Sequence, residues 1–240
     1  LKLDTNDTAR EIWKGEFAAS GGYMMLADEA VSLALVATLK SPGNGGISGE
    51  YMFIDEFNIT VQNVDDGDAY EIVGSLLHAP SHQTAFGRIT SVRNALDETG
   101  ALVAHAGQRL AAFAVAGTTI GAAPLRIEHL AFDYMSTYGF AVTNWQIGKQ
   151  GSNQRHSCST ESKTRINCLA LPEAIGTIQG DEELVLELYG DVELGDEEGV
   201  RTLQVTLEYP GTVGDNGAIR WTDGSGEFTW SELEAPIAEG

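Results

Sequence analysis

Along most of this chain apolar residues alternate with polar ones at period two, in short runs that end at Gly, Asn, Asp or Pro. Such runs are strands, and their breaks are turns. Residues 31–39 set Val31, Leu33, Leu35, Ala37 and Leu39 against Ser32, Ala34, Val36 and Thr38, which favours a strand over a helix capped by Asp28. Residues 50–64 carry Tyr51, Phe53, Phe57, Ile59 and Val61 on one alternating set, with Asp55 as the exception. Further strands are predicted over 23–26, 70–78, 88–96, 101–106, 110–116, 125–134 and 139–148, with shorter ones over 166–171 and 175–178.

Three pairs of runs predict hairpins: 88–96 with 101–106 around 97–100, 183–194 with 200–209 around the GDEEG turn, and 218–222 with 227–230 around 223–226. The segments 41–49, 63–68 and 149–164 read as loops or turns, and Asp7 as the cap of a short helical turn reaching Trp13. No alternation of strand and helix appears, so a parallel sheet is not expected. Roughly ten to twelve strands at this spacing predict an all-β fold, an antiparallel jelly-roll β-barrel or sandwich with long loops. No linker divides the chain. One domain is expected over 1–240, with 1–20 as an N-terminal arm and 231–240 as a tail.

Charge changes the picture. The chain holds 35 acidic and 14 basic residues, a net of −21, and only 5 of the basic residues are Lys. Self-repulsion of this size opposes compaction and repels nucleic acid. At molar salt the Debye length falls to about 3 Å and the repulsion is largely screened, so the composition fits a protein of brine. The acidity is concentrated toward the end: residues 181–240 hold 16 acidic and 2 basic residues. Nothing at the start reads as a secretory signal. The longest nearly apolar stretch, 110–123, falls short of the roughly 20 residues of a spanning helix.

Candidate chemistry is sparse. The chain lacks a Gly-x-Ser-x-Gly elbow, a phosphate-binding loop, a dinucleotide fingerprint and an HExxH helix. His78 and His82 have metal-pair spacing, but Pro80 between them favours a loop over the helical face that would make them converge. His105, His129 and His156 are scattered. Asp65, Asp66, Asp68 and Glu71 crowd a turn without the calcium-loop spacing and read as a solvated tip, as do Asp196, Glu197 and Glu198. Asn6 and Asn58 head glycosylation triplets, which arise often by chance, and Asn58 falls in a predicted strand. Trp13, Trp145, Trp221 and Trp230 read as core or rim residues rather than a sugar platform. Cys158 and Cys168, ten positions apart, are compatible with a closed loop, a bridge between subunits or free thiols. One segment is locally positive: Lys149, Arg155, His156, Lys163 and Arg165 read either as an exposed loop or as a subunit contact with an acidic neighbour. No catalytic, metal or cofactor site is expected.

The strand run 50–64, the paired runs of 183–209 and the acidic end, together with low Lys and this length, resemble the single jelly-roll major capsid proteins of membrane-containing icosahedral viruses of halophilic archaea. The chain looks like the larger of their two shell proteins. The resemblance covers the whole chain and rests on architecture and composition, so it carries over no site residues. It implies an upright β-barrel that assembles with itself and a second capsid protein into a virion shell over an internal lipid membrane. It implies no direct contact with nucleic acid, no small-molecule substrate and no enzymatic activity. An extracellular β-sandwich that binds carbohydrate or another ligand is the alternative, and it would show clustered aromatics such as Trp221 and Trp230 on a concave face.

Overall fold

The computed structural model describes residues 2–3, 13–14, 26, 30, 36, 38–53, 56–63, 65–75, 82–96, 102–121, 123–137, 140–162, 164–180, 182–195, 201–211 and 216–231. The chain divides into two compact units, 1–39 and 40–240. In the first, β1 (Lys2–Leu3) pairs antiparallel with β2 (Trp13–Lys14). The strand runs expected over 23–26 and 31–39, and the helical turn after Asp7, fall largely outside the described residues; Leu26 and Val36 are exposed and outside any strand.

The second unit opens with a 3-10 turn, Pro42–Asn44, and continues through β3 (Tyr51–Met52), β4 (Glu56–Gln62), β5 (Ala69–Ser75), β6 (His82–Gln83), β7 (Gly87–Asn94), β8 (Gln108–Thr119), β9 (Leu125–Ser136), β10 (Phe140–Lys149), β11 (Arg155–Ser157), β12 (Ser159–Thr160) and β13 (Arg165–Cys168). A one-turn helix α1 (Glu173–Gly176) leads to β14 (Thr177–Ile178), β15 (Leu184–Leu194), β16 (Leu203–Leu207), β17 (Ile219–Thr222) and β18 (Glu227–Phe228). All strand pairs are antiparallel.

Two sheets make the body. One runs β11-β10-β15-β8-β7; the other centres on β9, with β13 and β14 end to end on one side, β16 and β17 on the other, and β12 and β18 outside them. They stack as a sandwich. Phe113 of β8 packs on Phe132 of β9 with ring centres 5.2 Å apart, and Tyr134 of β9 on Trp145 of β10 at 5.1 Å. Leu184, Leu186 and Leu188 join the same core. From β8 onward the chain passes from one sheet to the other five times, in the order β8, β9, β10–β11, β12–β14, β15, β16–β18.

The alternation changes phase where a strand carries an extra residue. In β9 the buried positions shift from Leu125 and Ile127 to Leu130 and Phe132, because Ile127 pairs with Trp221 and His129 with Arg220, leaving Glu128 unmatched. In β10 they shift from Phe140 and Val142 to Trp145 and Ile147 across Asn144, whose φ is 52°. Each bulge keeps the apolar set pointing inward; without it a one-residue slip would turn that set to solvent.

Several pairings differ from those expected. The runs 183–194 and 200–209 do not form a hairpin: β15 lies between β10 and β8, while β16 joins β9 in the other sheet. Residues 102–106 form no strand, and 101 lies outside the described residues; β7 pairs with β8, where Leu110–Val115 is buried on every residue. The loop expected over 149–164 contains β11 and β12, and 173–176 is helical. The run 50–64 is split, β3 pairing with β6 and β4 with β5. The last expected hairpin, β17 with β18, is present.

Candidate assembly surfaces and buried polar clusters

Strands β3 to β6 join neither sheet of the sandwich and form an arm. Its root is the β3–β6 pair, and its outer part is the two-stranded sheet of β4 and β5, whose register runs from Glu56 opposite Ser75 to Gln62 opposite Ala69. The turn closes on itself: the Asp65 N–H donates to Asn63 Oδ1 at 3.0 Å, the Asp68 N–H to Asp66 Oδ1 at 3.0 Å, and Asn63 Nδ2 to Asp66 at 3.1 Å. The turn carboxylates are thus used in holding an Asx-type turn, and Gly67 takes the left-handed φ of 76° it requires. Of the large apolar residues left exposed, Tyr51, Met52, Phe53, Val61, Tyr70, Ile72 and Val73 all lie on this arm.

The arm is pinned at its root by a buried carboxylate in the β17–β18 turn. Asp223 is 1 % exposed. Its Oδ2 accepts from the Ser48 hydroxyl and, at 2.7 Å, from the Phe86 N–H; its Oδ1 accepts from the N–H groups of Gly226 at 2.8 Å and Ser225 at 3.1 Å. Ser48 precedes the arm and Phe86 follows it, so one oxygen holds both ends. Burial pushes the Asp223 carboxyl upward, but the donors from Ser48, Gly226, Phe86 and Ser225 outweigh it and leave the pKa below the ordinary value. Gly226 is glycine for close approach, since a Cβ there would sit 2.8 Å from Ser48 Oγ. Gln83 ties the arm further, donating to the Gly49 carbonyl at 3.0 Å and accepting from Trp230 Nε1 at 2.6 Å. An open cleft of about 500 Å³ lies beside Asp223, between Pro42, Ile120 and Pro124.

On the outer face of the five-stranded sheet, Glu187 is 5 % exposed yet ionised. Burial raises its pKa, but the Tyr189 hydroxyl and Arg109 Nη1, 2.8 Å away, donate to it and bring the net shift below the ordinary value. Arg155 lies over the Tyr189 ring, 3.0 Å from its centre. Arg165 pairs with Glu208 at 2.7 Å and Glu161 at 3.3 Å on the other sheet. The four positive residues of 149–165 are therefore not brought together: Lys149 and Arg155 belong to one sheet, Arg165 to the other, and Lys163 lies outside the described residues. The charges of Arg155 and Arg165 are engaged within their own chain.

Cys158 and Cys168 form a disulfide, S–S 2.00 Å, between the segment leaving β11 and the end of β13. It ties a sheet-to-sheet crossover into the core, where Cys168 is fully buried. Trp221 stacks on Phe228 at 4.0 Å and meets Trp230 edge-on at 6.3 Å, but all three are buried, and the Trp221 indole N–H donates to the Trp230 carbonyl. This aromatic cluster is core and presents no sugar platform. Trp145 is likewise buried.

Among the described residues no three His, Cys, Asp or Glu side chains gather to hold a metal. His82 is exposed on β6, and His78 lies outside the described residues. His156 Nε2 meets the Leu169 carbonyl at 2.7 Å. The pKa of His129 is lowered, first by burial and then by the Arg220 charge beside it. Among the described residues no helix is long and apolar enough to cross a membrane, and the apolar stretch from 110 lies in β8. No protein family, no curated protein and no solved structure matches the chain.

Proposed function

We propose that the chain is a structural subunit of a virion shell, a jelly-roll capsid protein that assembles with itself and a second capsid protein over an internal membrane in brine. The observation that carries this reading is the arm of β3 to β6, which joins neither sheet of the sandwich, exposes Val61, Tyr70, Ile72 and Val73, and is fixed at its root by a buried carboxylate. Surfaces of that kind serve contact between chains. The repeated crossing from sheet to sheet agrees with the Greek-key connections of a jelly roll. The net charge of −21 is the second support: a shell of such subunits holds together where salt screens the carboxylates.

The test is assembly against salt. Electron microscopy and light scattering of the purified chain in molar KCl are expected to show discrete symmetric oligomers or closed particles that shrink as salt is lowered toward 0.1 M, where the Debye length reaches about 10 Å. A monomer at every salt concentration overturns the reading.

A further inference from the structure

His129 stands half-buried on the outer face of the β9 sheet. Alternation turns Leu125, Ile127, Leu130 and Phe132 inward, and the bulge at Glu128 leaves His129 and Asp133 on the other face. The register sets His129 directly opposite Arg220 of β17, next to that bulge. From the other side β13 brings Asn167 opposite Ala131 and Arg165 opposite Asp133. The acids around the ring have other partners or face water. Glu128 pairs with Arg126, Glu161 and Glu208 pair with Arg165, and Asp133 is exposed.

The Nε2 atom of His129 is shut off from solvent and meets no hydrogen-bond partner among the described residues. A neutral imidazole carries one N–H, whereas the imidazolium carries one on each nitrogen. Protonation therefore puts a donor where no acceptor lies, beside a guanidinium. Burial opposes it first, then the Arg220 and Arg165 charges; the Asn167 side chain acts the other way and is outweighed. Strand β17 also reaches further. It runs directly into the turn of Asp223, three residues beyond Arg220, whose Oδ2 accepts from Ser48 before the arm and from the Phe86 N–H after it.

From this enclosed ring nitrogen without a partner, opposite Arg220 on the strand that leads to Asp223, we propose that His129 is an acid-sensitive latch. Taking up a proton sets the ring against Arg220, loosens β17, and so loosens the Asp223 turn that holds the root of the arm. The fold favours the neutral ring, so its contribution is complete above the ordinary value of 6.5 and is lost as pH falls from there through the lower folded value. Asp223 stays ionised over this range, because its own value lies below that of an ordinary carboxylate. Glu208 is pushed upward by burial and takes its proton more readily folded than unfolded, so it acts in the opposite sense and nearer the carboxylate range. The latch works within one chain and does not depend on assembly.

The test is hydrogen exchange on the full chain in molar KCl at pH 7.5 and pH 5.5, with each rate corrected for the intrinsic pH dependence of exchange. The Phe86 and Gly226 amides bond to Asp223 and are expected to lose protection by about threefold or more between the two conditions. The Gln150 amide, bonded to the Val185 carbonyl at the five-stranded sheet, is expected to change less. His129→Gln keeps an uncharged amide at the position and retains the exposed His82 at the arm root; it is expected to abolish the loss. Arg220→Gln, at an exposed position, is expected to reduce the loss and to raise the midpoint of the His129 ring in a nuclear magnetic resonance titration. Circular dichroism confirms that each variant is folded, and Arg220→Gln carries the test if His129→Gln is not. Constant protection from pH 7.5 to pH 5.5, an equal loss at Gln150, an undiminished loss in His129→Gln, or a His129 midpoint unmoved by Arg220→Gln overturns the latch.

Discussion

Asp223→Asn isolates the carboxylate that holds the arm root. The side chain keeps its shape and loses one acceptor oxygen. Four donors converge on the two oxygens of Asp223: Ser48 and the Phe86 N–H on one, the N–H groups of Ser225 and Gly226 on the other. An amide can satisfy only one of these pairs with its carbonyl. If its NH2 takes the first position, Ser48 can turn to accept from it, but the buried Phe86 N–H is left facing a donor. A buried donor without a partner costs about 1–3 kcal/mol, and loss of the charge from the remaining bonds adds to this. The expected loss is about 2–4 kcal/mol, roughly 5–12 °C in Tm for a unit of this size.

The pH dependence distinguishes this mechanism from a packing defect. The folded pKa of Asp223 lies below its ordinary value, so its ionised form stabilises the fold. That contribution is complete above the unfolded-state value of about 3.9 and disappears as pH falls through the folded value. The Tm gap between wild type and Asp223→Asn is therefore expected to be full at pH 7 and to shrink below pH 4. The other carboxylates are common to both chains and drop out of the difference. Thermal melts in molar KCl from pH 7 to pH 2.5 provide the curve, and hydrogen exchange should show the Phe86 amide losing protection in the variant. A gap under 0.5 kcal/mol at pH 7, or one unchanged with pH, refutes the account.

Three further outcomes are expected from the same packing. Replacing Cys158 and Cys168 together by Ala opens a loop of ten-residue separation, and loop closure puts the cost near 2.5–3 kcal/mol; a thiol reductant should lower the wild-type Tm by a similar amount in calorimetry and leave the double variant unmoved. Gly176→Ala would set a Cβ 2.1 Å from the Ile127 carbonyl oxygen, whereas Gly43→Ala meets nothing within 4 Å; denaturant titration should show a loss of about 2 kcal/mol or more for the first and under about 0.5 kcal/mol for the second. Glu187→Gln removes the charge that Arg109 and Tyr189 share and should cost about 1–2 kcal/mol, read as a shift of the urea midpoint at constant slope.

What the residue pattern predicts is a strand and its inward face; what it leaves open is the partner. The alternation of Leu184, Leu186 and Leu188 correctly marks β15 and its buried side, and Leu125 through Tyr134 marks most of β9. Yet 183–194 and 200–209 belong to different sheets, because a turn-forming sequence between two strands fits a hairpin and a sandwich crossover equally well. The same limit explains 101–106. Its composition suits a strand, but the buried run from Leu110 takes the place beside β7. Bulges are hidden for a related reason: the phase changes at Glu128 and Asn144 are visible only as breaks in the alternation, and a break alone reads as the end of a strand.

The buried polar groups were less legible still. Nothing near Asp223 in the sequence distinguishes it from the solvated acids of other turns, for its partners Ser48 and Phe86 lie 175 and 137 residues away. The chain has 35 acidic residues, and among the described ones Asp223 and Glu187 are buried. Each gathers donors from separate segments into one point. The arm depends on acids of both kinds. Its turn carries Asp65, Asp66 and Asp68, and its root is held by Asp223. If that root loosens, the backbone pairing beside it loosens too, so Asp223→Asn should speed hydrogen exchange at the Gly49 and Thr84 amides, which bond to the Thr84 and Glu50 carbonyls, even at temperatures where the sandwich remains folded. An unchanged exchange rate would mean that the root is held elsewhere.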